Sequence, residues 1–306
     1  MKRFLVHQFA QLLVVCLGIS IITFLLLHLK GDPVVLLLPL DAGKEQMEAF
    51  RRLMGFDQPL YVQYLRFLSG AVRGDFGDSL YMKKSAFALV MERMPATLLL
   101  TFAGLFISLV IAVPLGIVSA IRRYSLVDNL CTMFAVGGQA MPIFWLGIML
   151  IIIFSVKLRW LPASGSGSWA HLVLPATTLG VFLAPLTMRL VRSGMLEVLS
   201  QDYVRTARAK GVSERQVLLK HALRNAAIPV ITVIGLQFGQ LLGGAIVTET
   251  VYAWPGVATY TVTAIRNSDF PVVQAAVFLL ALCIVVVNLL VDLLVGLIDP
   301  RIRLEG

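Results

Sequence analysis

Long runs without charge decide the class of this chain before any motif is considered. Six stretches, at about 8–29, 97–121, 130–156, 171–191, 226–248 and 273–298, are apolar almost throughout. Each supplies the roughly 20 residues needed to cross a hydrocarbon layer. Backbone groups in lipid must be satisfied within the segment, so each run is expected to be a helix. Composition agrees: 58 % of the 306 residues are hydrophobic and 14 % charged, where a soluble domain carries about a quarter charged residues. A formal charge of +9 suits either nucleic acid or membrane. The apolar runs decide for membrane lipid, and no nucleic-acid partner is expected.

The first run follows Met1-Lys2-Arg3. A cleaved signal peptide has only about 7–15 apolar residues before a small-residue site. This run is longer and leads into Lys30-Gly31-Asp32-Pro33, so it reads as a retained anchor. Six spans put both termini on one side. If that side is the cytoplasm, the inside pieces hold Lys2, Arg3, Arg122, Arg123, Arg192, Arg301, Arg303 and the basic residues of 205–224. The short outside loops hold only Lys157, Arg159 and Arg266. That asymmetry orients the chain with both termini inside. The long loop after the first run exceeds about 60 residues, so its charges carry little weight.

The chain therefore divides into a first span (1–29), an outside insertion (30–96), a five-span core (97–298, with an inside loop at 193–225) and a tail (299–306). Within the insertion, Lys44 to Met54 reads as a short helix ended by Gly55. Asp57 is the expected N-cap of the next helix, with Pro59 in its first turn. Leu60, Tyr64, Phe67, Leu68, Ala71 and Val72 then recur at helical spacing, and Gly74 and Gly77 end the pattern.

The inside segment 202–229, DYVRTARAKGVSERQVLLKHALRNAAIP, is basic and helix-prone, with Gly211 as a joint. Its charge keeps it out of hydrocarbon. A solvated loop, an amphipathic helix on anionic lipid and a dock for another protein all fit its composition, which favours the first two. Among polar residues within the runs, Asn288 and Asp292 are four apart, on one helical face. They either line a substrate or ion pathway or are satisfied locally near the inner end, and the local reading is favoured. Glu249, where the fifth run exits, either lines an outer gate or is solvated. Pro114, Pro142 and Pro185 are read as packing kinks, and Gly235, Gly239, Gly243 and Gly244 as a close-packing face.

Enzyme signals are nearly absent. There is no GxxxxGK[ST] phosphate loop. Ser166 or Ser168 beside His171 reads as a Gly/Ser loop, not a nucleophile and base. Cys16, Cys131 and Cys283 are isolated and form no CxxC, so neither metal nor other cofactor is expected.

The inside segment resembles the conserved cytoplasmic loop of bacterial ABC importer permeases. Ala207 and Gly211 match that pattern. Arg205 and Thr206 replace its Glu and first Ala, and Pro229 lies further downstream. The longer form, TARAKG then HALRN then IP, is similar to the dipeptide, oligopeptide and nickel permease group. Gly31-Asp32-Pro33, DQPLYVQYLRFL (57–68), GDFGDSL (74–80), MPIFWLG (141–147), WLPASG (160–165), WPGV (254–257), DFPVVQA (269–275) and Asp299-Pro300-Arg301 resemble that group in order along nearly the whole chain.

The resemblance implies an all-α permease with six transmembrane helices in the bacterial inner membrane. A periplasmic insertion follows the first helix, and a cytoplasmic coupling helix lies between the fourth and fifth. It implies that Asp202, Tyr203, Arg205, Ala207, Lys210 and Gly211 engage an ATPase; Glu249, Asn288 and Asp292, read from their polarity and place in the apolar runs, are the pathway or gate candidates. The implied partners are a second permease, two ATP-binding subunits and a periplasmic solute-binding protein, with ATP hydrolysis in the partners. Short peptides are the expected cargo; nickel, a metal chelate or glutathione is the alternative. A stand-alone secondary transporter would need internal repeats and mid-membrane ion-coupling groups, and an intramembrane enzyme would need a facing nucleophile and base.

Overall fold

A computed structural model describes residues 2–29, 34 and 43–298. The motifs at 31–33 and 299–301 and the tail 299–306 lie outside the described residues. Within them every regular element is a helix, and Asp78 and Ser85 form an isolated β-bridge. The helices are α1 (Lys2–Leu29), α2 (Lys44–Met54), α3 (Leu60–Val72), α4 (Ala86–Ile121), α5 (Leu126–Ala140), α6 (Ile143–Leu150), α7 (Trp169–Leu199), α8 (Asp202–Ala209), α9 (Leu223–Gly244), α10 (Ile246–Val251), α11 (Val257–Arg266) and α12 (Phe270–Ile298). Wider π turns follow α6 at Ile151–Lys157 and precede α9 at Val217–Ala222, the latter entered through a three-residue α-helical turn at Glu214–Gln216.

Among the described residues, α4, α7 and α12 are each long and apolar enough to cross a membrane. The number rises to five if Leu126–Ala140 with Ile143–Lys157, and Glu214–Ala227 with Pro229–Gly243, each count as one span. The first apolar run forms α1, a helix of 28 residues. Residues 97–121, expected as a span on their own, continue a helix that begins at Ala86.

The third run, 130–156, is not one straight helix: α5 and the segment after it meet at 104°. The cause is local. Pro142 disfavours helical backbone at the residue before it. Met141 (φ −79°, ψ 128°) and Pro142 (φ −61°, ψ 133°) are both extended, so the helix stops at Ala140 and restarts at Ile143.

Backbone contacts divide the chain into two compact units, 1–96 with 256–286 and 97–255 with 287–306. In the first unit, α2 ends at Gly55 (φ 73°), where the Gly55 and Phe56 amides donate to the Arg52 and Arg51 carbonyls. Asp57 is not the N-cap of α3; Pro59, in extended conformation, precedes Leu60. Proline has no amide to lose at a helix start, which suits it to this place. The apolar face of α3 packs on α1: Tyr64 and Phe67 lie 5.5 Å and 6.0 Å from Phe24, centroid to centroid, and Ser20 and Tyr64 share a 2.8 Å hydrogen bond. Leu60 and Val72, at the two ends of that face, are exposed. The segment after α3 is tied down by Asp269, whose carboxylate accepts from the Ser79 hydroxyl and, at 3.2 Å, from the Leu80 amide.

The second unit is built around α7. Of the three long helices it is the least apolar, and 67 % of its membrane window is buried. It packs against α5, α6 and α9. At Gly235 of α9 a Cβ would meet Val291 of α12 at 3.0–3.2 Å, so this part of the glycine face packs inside the unit. Gly243 faces open space.

Candidate functional site

The basic segment folds as a helical hairpin. Asp202 opens α8, an acidic side chain in the first turn where the helix dipole favours it. Val204, alone in α8 in being fully buried, is the inward anchor. The helix packs on the π turn Val217–Ala222, where Val217 and Ala222 are also buried. Gly211 then caps it. Its amide donates to the Arg208 carbonyl at 2.9 Å and the Val212 amide to the Ala207 carbonyl at 3.2 Å. This crossed pair is a Schellman ending, which needs left-handed backbone at the glycine; Gly211 has φ 77°.

Two further ties hold the hairpin shut. The Tyr203 hydroxyl accepts from Asn225 Nδ2 at 2.7 Å. Arg208 forks onto Glu214, with Nη2–Oε1 at 2.7 Å and Nε–Oε2 at 3.1 Å. These hydrogen bonds hold the Glu214 carboxyl below the usual carboxylate range and raise the Arg208 guanidinium. Asp202, Arg205, Lys210 and Gly211 are exposed, and Arg205 reaches Asp202 at 3.5 Å. Ala207 is half-buried and donates no side-chain chemistry; its carbonyl is part of the cap.

The hairpin stands on an apolar joint. Ala120 from α4, Val191 and Met195 from α7, Ala222 from the π turn and Ala226 and Val230 from α9 form one buried cluster. Gly194 lets α7 and α9 approach: a Cβ there would lie 3.1–3.3 Å from atoms of Ala226. The joint is close-packed, so α7, α9 and the base of the hairpin meet without a void.

Beside the joint lies a polar cluster that sequence reading missed. Arg192 of α7 forks onto Asp128 of α5, Nε to Oδ1 and Nη2 to Oδ2, each at 2.8 Å. Asp128 also accepts from the Ser119 hydroxyl of α4 and, at 3.0 Å, from the Tyr124 amide. Its side chain is 5 % exposed. Three helices are pinned at one carboxylate. The available signal was Ser125-x-x-Asp128, a capping pattern at a helix start; Asp128 N donates to Ser125 Oγ at 3.3 Å.

Tyr252 was also missed. Its hydroxyl bonds Thr178 of α7 at 2.8 Å and donates to the Gly147 carbonyl of α6 at 3.1 Å, and its own carbonyl accepts from Gly165 N at 2.8 Å. Glu249 of α10 is fully buried, which corrects the solvated reading: Thr97 Oγ1 of α4 donates to its Oε1 at 2.9 Å. Asn288 and Asp292 are half-buried, one turn apart on α12. The six coupling candidates thus come together in one helix and its cap, while the gate candidates sit on two other helices. Ser168 Oγ and His171 Nδ1 lie 2.8 Å apart, exposed at the start of α7. Among the described residues, no group of three or more His, Cys, Asp or Glu is placed to hold a metal ion.

Residues 112–304 match the family described as binding-protein-dependent transport system inner membrane component, and residues 1–101 match its N-terminal membrane component. The chain belongs to this permease family. The permease is 42 % identical over 304 residues to the glutathione transport system permease protein GsiC of Escherichia coli strain K12, covering 99 % of both chains. The GsiC protein of Shigella dysenteriae serotype 1 (strain Sd197) matches to the same extent. Among solved structures, the inward-facing MetNI methionine ABC transporter is similar in fold, with a TM-score of 0.58 at 20 % identity, over 69 % of this permease and 96 % of that chain. The permease is an ABC importer component of the peptide and nickel group, a multi-pass inner membrane protein.

Proposed function

We propose that this permease forms half of the pathway of an ATP-driven importer for glutathione or a related short peptide. The observation that carries the reading is the 42 % identity over essentially the full length of proteins named glutathione transport permeases. Glutathione is itself a short peptide, so the two cargo expectations converge. Nickel and metal chelates are the second reading.

In this proposal six helices span the membrane, both termini are cytoplasmic and residues 30–96 form a periplasmic insertion. A second permease completes the pathway, two ATPase subunits drive it and a periplasmic binding protein delivers cargo. The exposed face of α8, with Asp202, Arg205 and Lys210 and the cap at Gly211, docks on the ATPase, and Tyr203 and Ala207 hold that face in place. Closure of the ATPase pair on ATP displaces α8. The Gly194–Ala226 contact and the Asp128–Arg192 pair carry the displacement into α5, α7 and α9, which reorients the pathway. Cargo biases this equilibrium only through different affinity for the two orientations. Glu249, buried against Thr97, serves as an internal brace near the outer end of the pathway. Asn288 and Asp292 line α12 near its inner end.

The test is uptake by the complete importer in proteoliposomes. ATP-dependent accumulation of labelled glutathione or a labelled dipeptide is expected. Accumulation of nickel with no peptide uptake would replace this reading with the second.

A further inference from the structure

Arg189 is placed oddly for a residue on a spanning helix. It lies on α7 near the inner end of the fourth apolar run, and its side chain is exposed. Its partner is Gln139 near the end of α5, where Oε1 accepts from Arg189 Nη2 at 2.9 Å. Among the described residues, no carboxylate pairs with it.

The direction of its reach matters. Arg192, one turn later on α7, extends to Asp128 at the start of α5. Gln139 is eleven residues further along α5, roughly 16 Å at 1.5 Å per residue. The two arginines are only three residues apart on α7, roughly 4.5 Å, so their side chains diverge along α5. Arg192 reaches toward the end of the helix next to the inside loop. Arg189 reaches toward the break at Met141–Pro142, deeper in the membrane. A guanidinium relieving its own desolvation would extend to the nearby headgroups; this one does the reverse. An unpaired charge on the surface of a spanning helix must face a protein partner or an aqueous path.

The local chemistry selects a ligand. Gln139 spends its carbonyl oxygen on Arg189, which leaves its NH2 as a donor beside the remaining guanidinium N–H groups. The exposed edge of the pair is rich in donors and positively charged. It matches a carboxylate, which accepts bidentately from arginine, and repels a bare divalent cation. Phe182 (37 % exposed) and Leu186 (40 %) continue the same face of α7 above it, giving an apolar strip that ends at the cation.

We infer that Arg189 and Gln139 form a carboxylate-binding station in the translocation pathway, for a substrate bearing a carboxylate and an apolar portion. The inference rests on the reading of the chain as half of that pathway, and it favours peptide-like cargo over free nickel.

Two measurements on the intact importer test it. In proteoliposomes, Arg189→Ala is expected to lower uptake of labelled glutathione or dipeptide per ATP hydrolysed by at least about tenfold, the scale of one lost charge-assisted pair, with Arg189→Lys recovering most of the loss. An unchanged ratio, or uptake and hydrolysis falling together, overturns the station. Second, in a background where Cys16, Cys131 and Cys283 are alanine, Arg189→Cys is expected to react with the anionic, membrane-impermeant reagent 2-sulfonatoethyl methanethiosulfonate. Resistance to it alongside reaction with an apolar maleimide overturns the inference. Failure of the wild-type importer to take up either cargo overturns the substrate reading instead, and the thiol measurement still decides the site.

Discussion

Replacing Gly211 separates backbone strain from docking. Gly211 has φ 77°, and a Cβ there would meet nothing within 4 Å. Any L residue at this angle is strained by about 1–2 kcal/mol, and the open surroundings add no clash. Gly211→Ala and Gly211→Trp should therefore destabilise the isolated permease by the same amount, about 1–2 kcal/mol, while Gly211→Asn, which tolerates left-handed backbone, should lose less. Transport should not follow that order. If an ATPase surface lies against the cap, Trp abolishes ATP-driven uptake at normal membrane expression, whereas Ala and Asn lose only a few-fold. The assay is thermal unfolding of each purified variant beside uptake by the assembled importer. Normal uptake with Gly211→Trp refutes docking at this cap. A much larger thermal loss for Trp than for Ala refutes the open-space argument.

Removing the Asp128 carboxylate strands a partly buried guanidinium, so Asp128→Ala is expected to destabilise the permease by about 3 kcal/mol, read as a drop of several degrees in melting temperature in detergent. The charge-reversed double variant Asp128→Arg with Arg192→Asp should recover part of it. Glu249→Gln keeps an oxygen able to accept from Thr97 and should leave expression and uptake within about threefold of wild type, whereas Glu249→Leu should impair both; equal behaviour of the two would remove the brace. Hydrogen bonding to Arg208 depresses the Glu214 carboxyl, so that pair contributes above the ordinary carboxylate range and is lost as pH falls through the depressed folded value. Both side chains are about half exposed, so the loss is under about 1 kcal/mol. Amide exchange at Gly211 and Val212, corrected for intrinsic rates, should quicken under acid and in Glu214→Gln alike.

The helical fold was legible because lipid leaves a backbone few choices, and runs such as 273–298 state their structure through composition alone. Helix α2 was legible to the residue because Gly55 marks its end by a conformation other residues avoid. The break at Met141–Pro142 was readable only in part: Pro142 signalled a kink, but the change of direction depends on two consecutive extended residues. Asp57 misled because proline at position 59 competes for the same helix start. The hairpin was legible as a motif, yet its closure by Tyr203–Asn225 and Arg208–Glu214 was not, since those pairings depend on how the turn folds back. Asp128 and Arg192 are 64 residues apart in sequence, and no local pattern joins them. Glu249 showed its charge but not its burial, which is set by α4 and α10 meeting.

The Asp128 cluster also imposes an order on biogenesis. Ser119, Tyr124 and Asp128 leave the ribosome early and close together, but the counter-ion arrives only with α7. Until then the nascent chain carries an acid supported by one hydroxyl and one amide, and membrane quality control has a defect to recognise. A chain truncated before Arg192 should be cleared quickly, and one truncated just after Leu199 should persist.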